Sequence, residues 1–231
     1  MGKIQLVVFD MAGTTIDEDN VVYKCLHKVV VSVLPTVTLE EVLLHGAGKE
    51  KRNAIVDICA VNDLQLMTED IDALFSNFKI LLANAYDEYP LKLYADALEV
   101  FAWLHSKGIK VAFNTGYDRK TAEFILHKVN IRLGADIDLL MTASDVPRNR
   151  PFPDMIEKCC ELLGINVSNT IKVGDSAIDI EEGKTANTFI SIGITTGAQT
   201  KEQLAAAQPN FIIDSLTELK EIVAYHNSTQ S

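Results

Sequence analysis

The amino-acid sequence predicts an α/β protein, a doubly wound parallel sheet with a helical domain inserted after the first strand. Three observations lead there. Short apolar runs recur at 4–9, 109–114, 137–142, 170–174 and 188–194, with a weaker one at 210–213, and helical patterns fill the gaps. Between Asp17 and about Pro90 the alternation stops, and apolar residues recur only at helical spacing. Three of the runs end in a carboxylate or hydroxyl beside small residues, at the strand ends where open α/β sheets bind ligands.

The first run, Leu6-Val7-Val8-Phe9, is apolar at every position. That is the pattern of a strand buried on both faces of a parallel sheet. Asp10 follows at its carboxyl end, and Gly13 lets the chain turn so that backbone N–H groups converge on an anion. On its own such an Asp is most simply a helix cap. The insertion comes next. Val22, Leu26, Val29, Val30 and Val33 share one helical stripe, and Ile71, Leu74, Phe75, Phe78 and Leu82 share another. These stripes read as helix packing rather than a ligand groove.

Helices are then expected at 94–107, 119–129, 153–164 and 214–225. The second strand ends in Thr115-Gly116, whose hydroxyl can serve a phosphate oxygen or a turn. Prolines at 147, 151 and 153 stiffen the loop that carries Arg150, a cation able to offset charge on a transferring phosphoryl group. The fourth strand ends in Gly174-Asp175, and Asp179 follows one helical turn later. With Asp10, these two carboxylates make an all-oxygen site of the kind Mg²⁺ prefers.

Composition narrows the partners. The chain has 231 residues, 48% of them hydrophobic, with 12 Gly and 6 Pro, which marks a folded chain. A net charge of −11 excludes the basic footprint of a nucleic-acid binder. Anionic substrates must then be attracted locally. No run reaches the length of a membrane span, and no signal pattern opens the chain, so no membrane partner is expected. Cys25, Cys59, Cys159 and Cys160 lack metal spacing and read as reduced, buried thiols of a cytoplasmic protein. His27, His45, His105, His127 and His226 match no motif, Trp103 is expected in the core, and the polar tail 226–231 is expected to fray.

The order Asp10, Thr115, Arg150, Asp175 with Asp179 resembles the four motifs of the haloacid dehalogenase superfamily, over nearly the whole chain. The resemblance implies a core at 1–16 and 91–231 and a helical cap at 17–90. It also implies that Asp10 attacks phosphorus and forms an aspartyl phosphate. Mg²⁺ would be held by Asp10, the carbonyl of Ala12, Asp175 and, directly or through water, Asp179. Gly13, Thr14, Thr115, Gly116 and Arg150 would bind the phosphoryl group. The form Asp10-Met11-Ala12-Gly13-Thr14-Thr15 is similar to the phosphonatase branch, as are Thr115-Gly116-Tyr117, Asp145-Val146-Pro147, Arg150-Pro151 and Val173-Gly174-Asp175 through Glu182-Gly183. Gly193-Ile194-Thr195-Thr196-Gly197-Ala198 looks more like the wider phosphonatase-like group.

Ala12 stands where superfamily phosphatases carry a second Asp, the usual general acid for the leaving group. Phosphonatase chemistry instead uses a Lys that forms an imine with the substrate aldehyde. Matching its Gly-x-x-Lys to Gly48-Lys49-Glu50-Lys51 selects Lys51, with Lys49 as the second choice. The branch's Met before that Gly is here Ala47, and its His three places after the Lys is Ala54. Sequence alone therefore favours a phosphatase of the phosphonatase-like group, acting on a small phosphate ester such as phosphoglycolate. One alternative is phosphonoacetaldehyde hydrolysis through a Lys51 imine. The other is a binding or regulatory protein that has kept the fold without catalysis. In each case the ligand is a small phosphorylated or phosphonate metabolite, and the protein a monomer or homodimer.

Overall fold

The computed structural model describes residues 3–228. Its centre is a six-stranded sheet. The strands are β1 (Leu6–Phe9), β4 (Lys110–Thr115), β5 (Leu139–Thr142), β6 (Thr170–Gly174), β7 (Ile190–Ile194) and β8 (Phe211–Ile213), in spatial order β5-β4-β1-β6-β7-β8. Every pairing is parallel. From β1 the chain steps out to β4 and β5, then returns to the other side of β1 for β6, β7 and β8. That reversal puts the topological switch point at the carboxyl end of β1.

Successive side chains of β1 point to opposite faces. Val7 and Phe9 enter one layer with Val111, Phe113 and Phe101, while Leu6 and Val8 enter the other with Ala112, Met155, Ile156 and Cys159. Helices cover both faces, which is why the run is apolar throughout. Every strand expected from the sequence is present, with bounds within two residues of those expected. The expected helices appear as α5 (Ala97–Ser106), α6 (Arg119–Lys128), α7 (Asp154–Leu163) and α10 (Leu219–Ser228). Two more, α8 (Ala177–Thr185) and α9 (Lys201–Ala206), complete the crossovers.

The insertion holds α1 (Val21–Val30), α2 (Leu39–Gly46), α3 (Lys51–Val61) and α4 (Thr68–Glu88). Local chemistry sets their starts. Thr38 and Glu41 form a reciprocal capping box at α2, and the Glu50 carboxylate accepts from the N–H groups of Arg52 and Asn53 at α3. Among the described residues no strand lies between 21 and 88. A short antiparallel pair, β2 (Ile16–Asp17) with β3 (Lys92–Leu93), joins the two ends of the insertion.

Two expectations need correction. The tail does not fray from residue 226, because α10 continues to Ser228 and Asn227 accepts a hydrogen bond from Ile4 N at 2.8 Å. Residues 229–231 lie outside the described range. Trp103 is only partly buried, with Lys107 Nζ 5.8 Å from its ring centre. His105 pairs with Asp138 at 2.9 Å, as suits a histidine satisfied near the surface. The four cysteines are free and buried as expected. No helix among the described residues is long and apolar enough to cross a membrane.

Candidate active site

The register of three adjacent strands assembles the site. Phe9 of β1 lies level with Phe113 of β4 and Val173 of β6. One residue further on, Asp10, Asn114 and Gly174 share a level, and Asp10 N donates to Val173 O at 2.9 Å. Thr115 and Asp175 follow, so three strand ends converge on one point. Asp10, Thr14, Thr115, Arg150, Asp175 and Asp179 are all buried. Gly13 takes φ +82°, and a Cβ there would stand 2.4 Å from Asp175 Oδ2; at Gly197 the distance would be 2.0 Å. Only glycine leaves room at these two places.

Arg150 is not a solvated loop residue. Its side chain is 1% exposed, and its Nη1 donates to Asp10 Oδ1 at 2.7 Å. Nε donates to Glu182 at 2.9 Å, and Nη2 to the Asn114 side-chain oxygen at 2.7 Å. Burial works against the charge, but Asp179, Glu182 and Asp10 outweigh it and keep the guanidinium protonated. Lys172, in the middle of β6, is fully buried and pairs with Asp179 at 2.9 Å and Glu182 at 3.3 Å. The two cations and two anions neutralise one another beneath the nucleophile.

No motif assigns a role to Asn114 or Lys172, and Glu182 enters only as part of the resemblance to the branch. Lys172 has a signal in the sequence, since a Lys inside a two-face-buried strand must find a buried anion. Its partner Glu182 sits a helix away, and nothing local marks the pairing.

Asp10 and Asp175 are both held above the usual carboxylate range. Burial is the first cause for each. Asp179 adds to it for both, and Asp10 does so for Asp175. Asp179 differs. Burial pushes it up, but Arg150 and Lys172 prevail and hold it below its ordinary value. Among the described residues no group of three or more His, Cys, Asp or Glu stands gathered around an ion position. The reason is that Asp179 turns its Oδ1 to Arg150 and Lys172, and its Oδ2 to Ser176 at 2.5 Å. That leaves Asp10 and Asp175 as two crowded carboxylates whose charges a divalent cation would relieve. A hard cation that uses few carboxylates and keeps its waters fits this donor set. Thr14 Oγ1 donates to Asp175 Oδ1 at 3.3 Å, and Thr115 Oγ1 accepts from Tyr117 N at 3.2 Å.

The insertion reaches the same point. Gly48 O accepts from Arg150 at 3.1 Å, and a Cβ on Gly116 would stand 2.7 Å from Lys49 O. The structure separates the two candidate lysines. Lys49 pairs with Asp57 at 2.5 Å, in a half-exposed bridge on the insertion itself. Lys51 is 5% exposed and has no carboxylate within ion-pair distance among the described residues. Its Nζ donates to Lys49 O at 2.6 Å and stands 5.3 Å from the ring centre of Tyr23 and 5.6 Å from that of Tyr117. Burial lowers its pKa, while Asp10 and Glu50 pull the other way. A cavity of about 840 Å³ between the insertion and the sheet ends at Lys51, Gly116 and Tyr117. Its walls are Phe75, Phe78, Leu82 and Phe124, with Lys79 and Lys120 further out. Asp10 is not part of its lining.

Comparison with known proteins places the chain in a family. A family model described as haloacid dehalogenase-like hydrolase matches residues 4–187. A phosphonoacetaldehyde hydrolase of Bacillus cereus is 32% identical, with 85% of this chain and 77% of that one aligned. A bifunctional phosphonoacetaldehyde hydrolase/aminoethylphosphonate transaminase of Clostridioides difficile is 28% identical over 96% of this chain, which spans only 40% of that longer protein. The crystal structure of a phosphonoacetaldehyde hydrolase-like protein from Oleispira antarctica superposes with a TM-score of 0.83 at 24% identity, covering 98% of this chain and 94% of that one. At that identity the last match speaks for the fold.

Proposed function

The chain belongs to the haloacid dehalogenase-like hydrolases, and from that premise we propose that it cleaves the carbon–phosphorus bond of a small aldehyde phosphonate of the phosphonoacetaldehyde kind. The observation that carries this is Lys51, a buried lysine without a carboxylate partner, lodged between two tyrosine rings where the insertion meets the strand ends. A desolvated amine with a lowered pKa is the form that attacks a carbonyl.

In this reading the Lys51 amine condenses with the aldehyde and water leaves. The protonated imine then draws electrons from the neighbouring C–P bond as Asp10 attacks phosphorus. Asp10 carries the phosphoryl group until water releases it. The carbon fragment departs as an enamine, which is protonated and hydrolysed back to free Lys51. Because the imine takes up the electrons, no acid is needed at position 12, and Ala12 is chemically sufficient. Arg150 holds Asp10 in place and offsets phosphoryl charge together with Thr14 and Thr115. Asp10, Asp175 and the carbonyl of Ala12 would hold Mg²⁺, which supplies Lewis-acid stabilisation of the phosphoryl oxygens. Asp179 acts from behind, by fixing Arg150 and Lys172.

Sequence alone favours a phosphate ester, and Ala47 and Ala54 still support that second reading. The surroundings of Lys51 favour the phosphonate. Borohydride added with phosphonoacetaldehyde discriminates them. A reduced adduct on Lys51, with turnover lost in Lys51→Arg, is the expected result. If no adduct forms and Lys51→Arg still hydrolyses phosphoglycolate, the ester reading takes its place.

A further inference from the structure

An amine that must be neutral to attack and an oxygen that must leave as water both call for a proton carrier beside Lys51. No histidine lines its cavity among the described residues. The carboxylates of Asp10, Glu50 and Glu18 each favour the charged form of Lys51. Asp10 is committed to phosphorus and bound by Arg150. Both Glu50 oxygens accept backbone N–H groups at the start of α3. That leaves Glu18, a residue to which the proposed function assigns nothing.

Glu18 is 2% exposed. One of its oxygens accepts from Val22 N at 2.8 Å and from the Tyr86 hydroxyl at 3.0 Å. The Tyr86 hydroxyl lies 2.6 Å from that of Tyr117. Tyr86, Tyr117 and Lys51 all line the same cavity. Two phenol oxygens thus form a continuous hydrogen-bonded line from a buried carboxyl to the wall of the chamber where Lys51 waits. Either phenol can donate to the other, so the line can run both ways. With Glu18 ionised, Tyr86 donates to it and Tyr117 donates to Tyr86, leaving Tyr117 oxygen free to accept. With Glu18 protonated, the order can invert and Tyr117 donates toward the cavity.

We propose that Glu18, acting through Tyr86 and Tyr117, is the positioning residue that takes up and returns the proton exchanged at Lys51 during imine formation. The inference rests on the Lys51 imine reading above. One proton leaves the Lys51 ammonium along the line to Glu18, and the last gap, between Lys51 and Tyr117, is bridged by one cavity water or by the substrate oxygen. The neutral amine forms its N–C bond to the carbonyl carbon, and a proton moves from that nitrogen to the oxygen, giving a carbinolamine. The borrowed proton then returns to the carbinolamine oxygen. Its C–O bond breaks, water leaves, and Lys51 is left as a protonated imine. The ammonium and aldehyde together carry the same atoms and charge as the iminium and water, so Glu18 ends as it began.

Burial holds the Glu18 carboxyl up to about 7, which suits a group that must trade a proton near neutrality. The groups facing it are Lys24 and Lys51, the Tyr23 and Cys25 side chains of α1, Tyr86, and Tyr117 from the sheet side, with Tyr89 and Tyr94 further off. Burial raises the phenols and the thiol away from neutral pH. Glu18 and Lys51 are the groups left to shape a pH profile there.

The test measures the rate of borohydride-trapped adduct on Lys51 with phosphonoacetaldehyde, from pH 5.5 to 9, by rapid quench and mass spectrometry. Glu18→Gln and Tyr117→Phe should each slow trapping by about 10²-fold and flatten the limb near pH 7, with circular dichroism unchanged. Glu18→Asp should restore part of the rate. Should Glu18→Gln fold poorly, Tyr86→Phe removes one oxygen and carries the same expectation. Trapping at the wild-type rate with an unaltered pH profile in the folded variants overturns this inference and leaves the imine intact. A wild type that never traps an adduct overturns both.

Discussion

At the residue scale, the site keeps its charges by pairing some and crowding others. Asp179 and Glu182 are matched by Arg150 and Lys172, whereas Asp10 and Asp175 stay mutually repelled. Asp10→Asn should therefore remove turnover by at least about 10³-fold while leaving the metal-free melting temperature equal or higher. A loss of melting temperature in that variant would show that the Arg150 pair outweighs the crowding. Glu18 gives a signed prediction of its own. Its folded pKa lies above the ordinary 4.5, at about 7, so its neutral form is the one the fold accepts. That stability is complete below about pH 4.5 and is lost as pH rises through 7. Glu18→Gln has no proton to lose. Its stability relative to wild type should rise between pH 5 and pH 8 by about 2.5 kcal/mol, read from urea midpoints at each pH. A pH-independent difference would mean that Glu18 titrates as an ordinary carboxyl.

At the scale of elements, the insertion and the strand ends meet through Arg150, Tyr86 and Lys51 and also where glycines let them approach closely. Gly116 faces Lys49 O, and Gly48 faces Ser176, Ile178 and Asp179. Gly116→Ala should push the start of α3 away and cut kcat/KM by about 10²-fold, since a displacement near 1 Å in a reacting group has that effect. Equal activity in Gly116→Ala would show that α3 need not approach this strand end. The elements themselves were legible wherever burial imposes a pattern. The all-apolar run of β1 and the helical stripes of α1 and α4 announced their surroundings. The pair β2 with β3 was not legible, since two residues carry no periodicity. The start of α9 has its own local sign, a Thr200 and Gln203 capping box, but only six residues follow it.

On the whole-molecule scale, the motif carboxylates, Thr14, Thr115, Arg150 and Lys51 could be found by order along the chain, because each ends or flanks a recognisable element. The buried links could not. Asn114 and Glu182 are 68 residues apart, as are Glu18 and Tyr86, and only the folded sheet brings them together. An isolated Glu beside Asp17 and Asp19 reads as surface until α4 closes over it. The chain as a whole carries a charge of −11, so attraction of an anionic substrate falls to the local cations, and to Mg²⁺ in the reading proposed above. Millimolar Mg²⁺ should raise the melting temperature by relieving Asp10 and Asp175, and EDTA should abolish both that rise and phosphate release. Asp175→Asn should lose most of the rise. An equal rise in that variant would place the cation elsewhere.

The central claim is that Lys51 is the amine that holds the substrate. The most direct measurement is mass spectrometry of the protein after borohydride reduction in the presence of phosphonoacetaldehyde. Wild-type protein should carry a reduced two-carbon adduct on Lys51 and none on Lys49, with phosphate released and the adduct missing in Lys51→Arg. Phosphate release from phosphonoacetaldehyde with Lys51 unmodified, or unimpaired in Lys51→Arg, would contradict it.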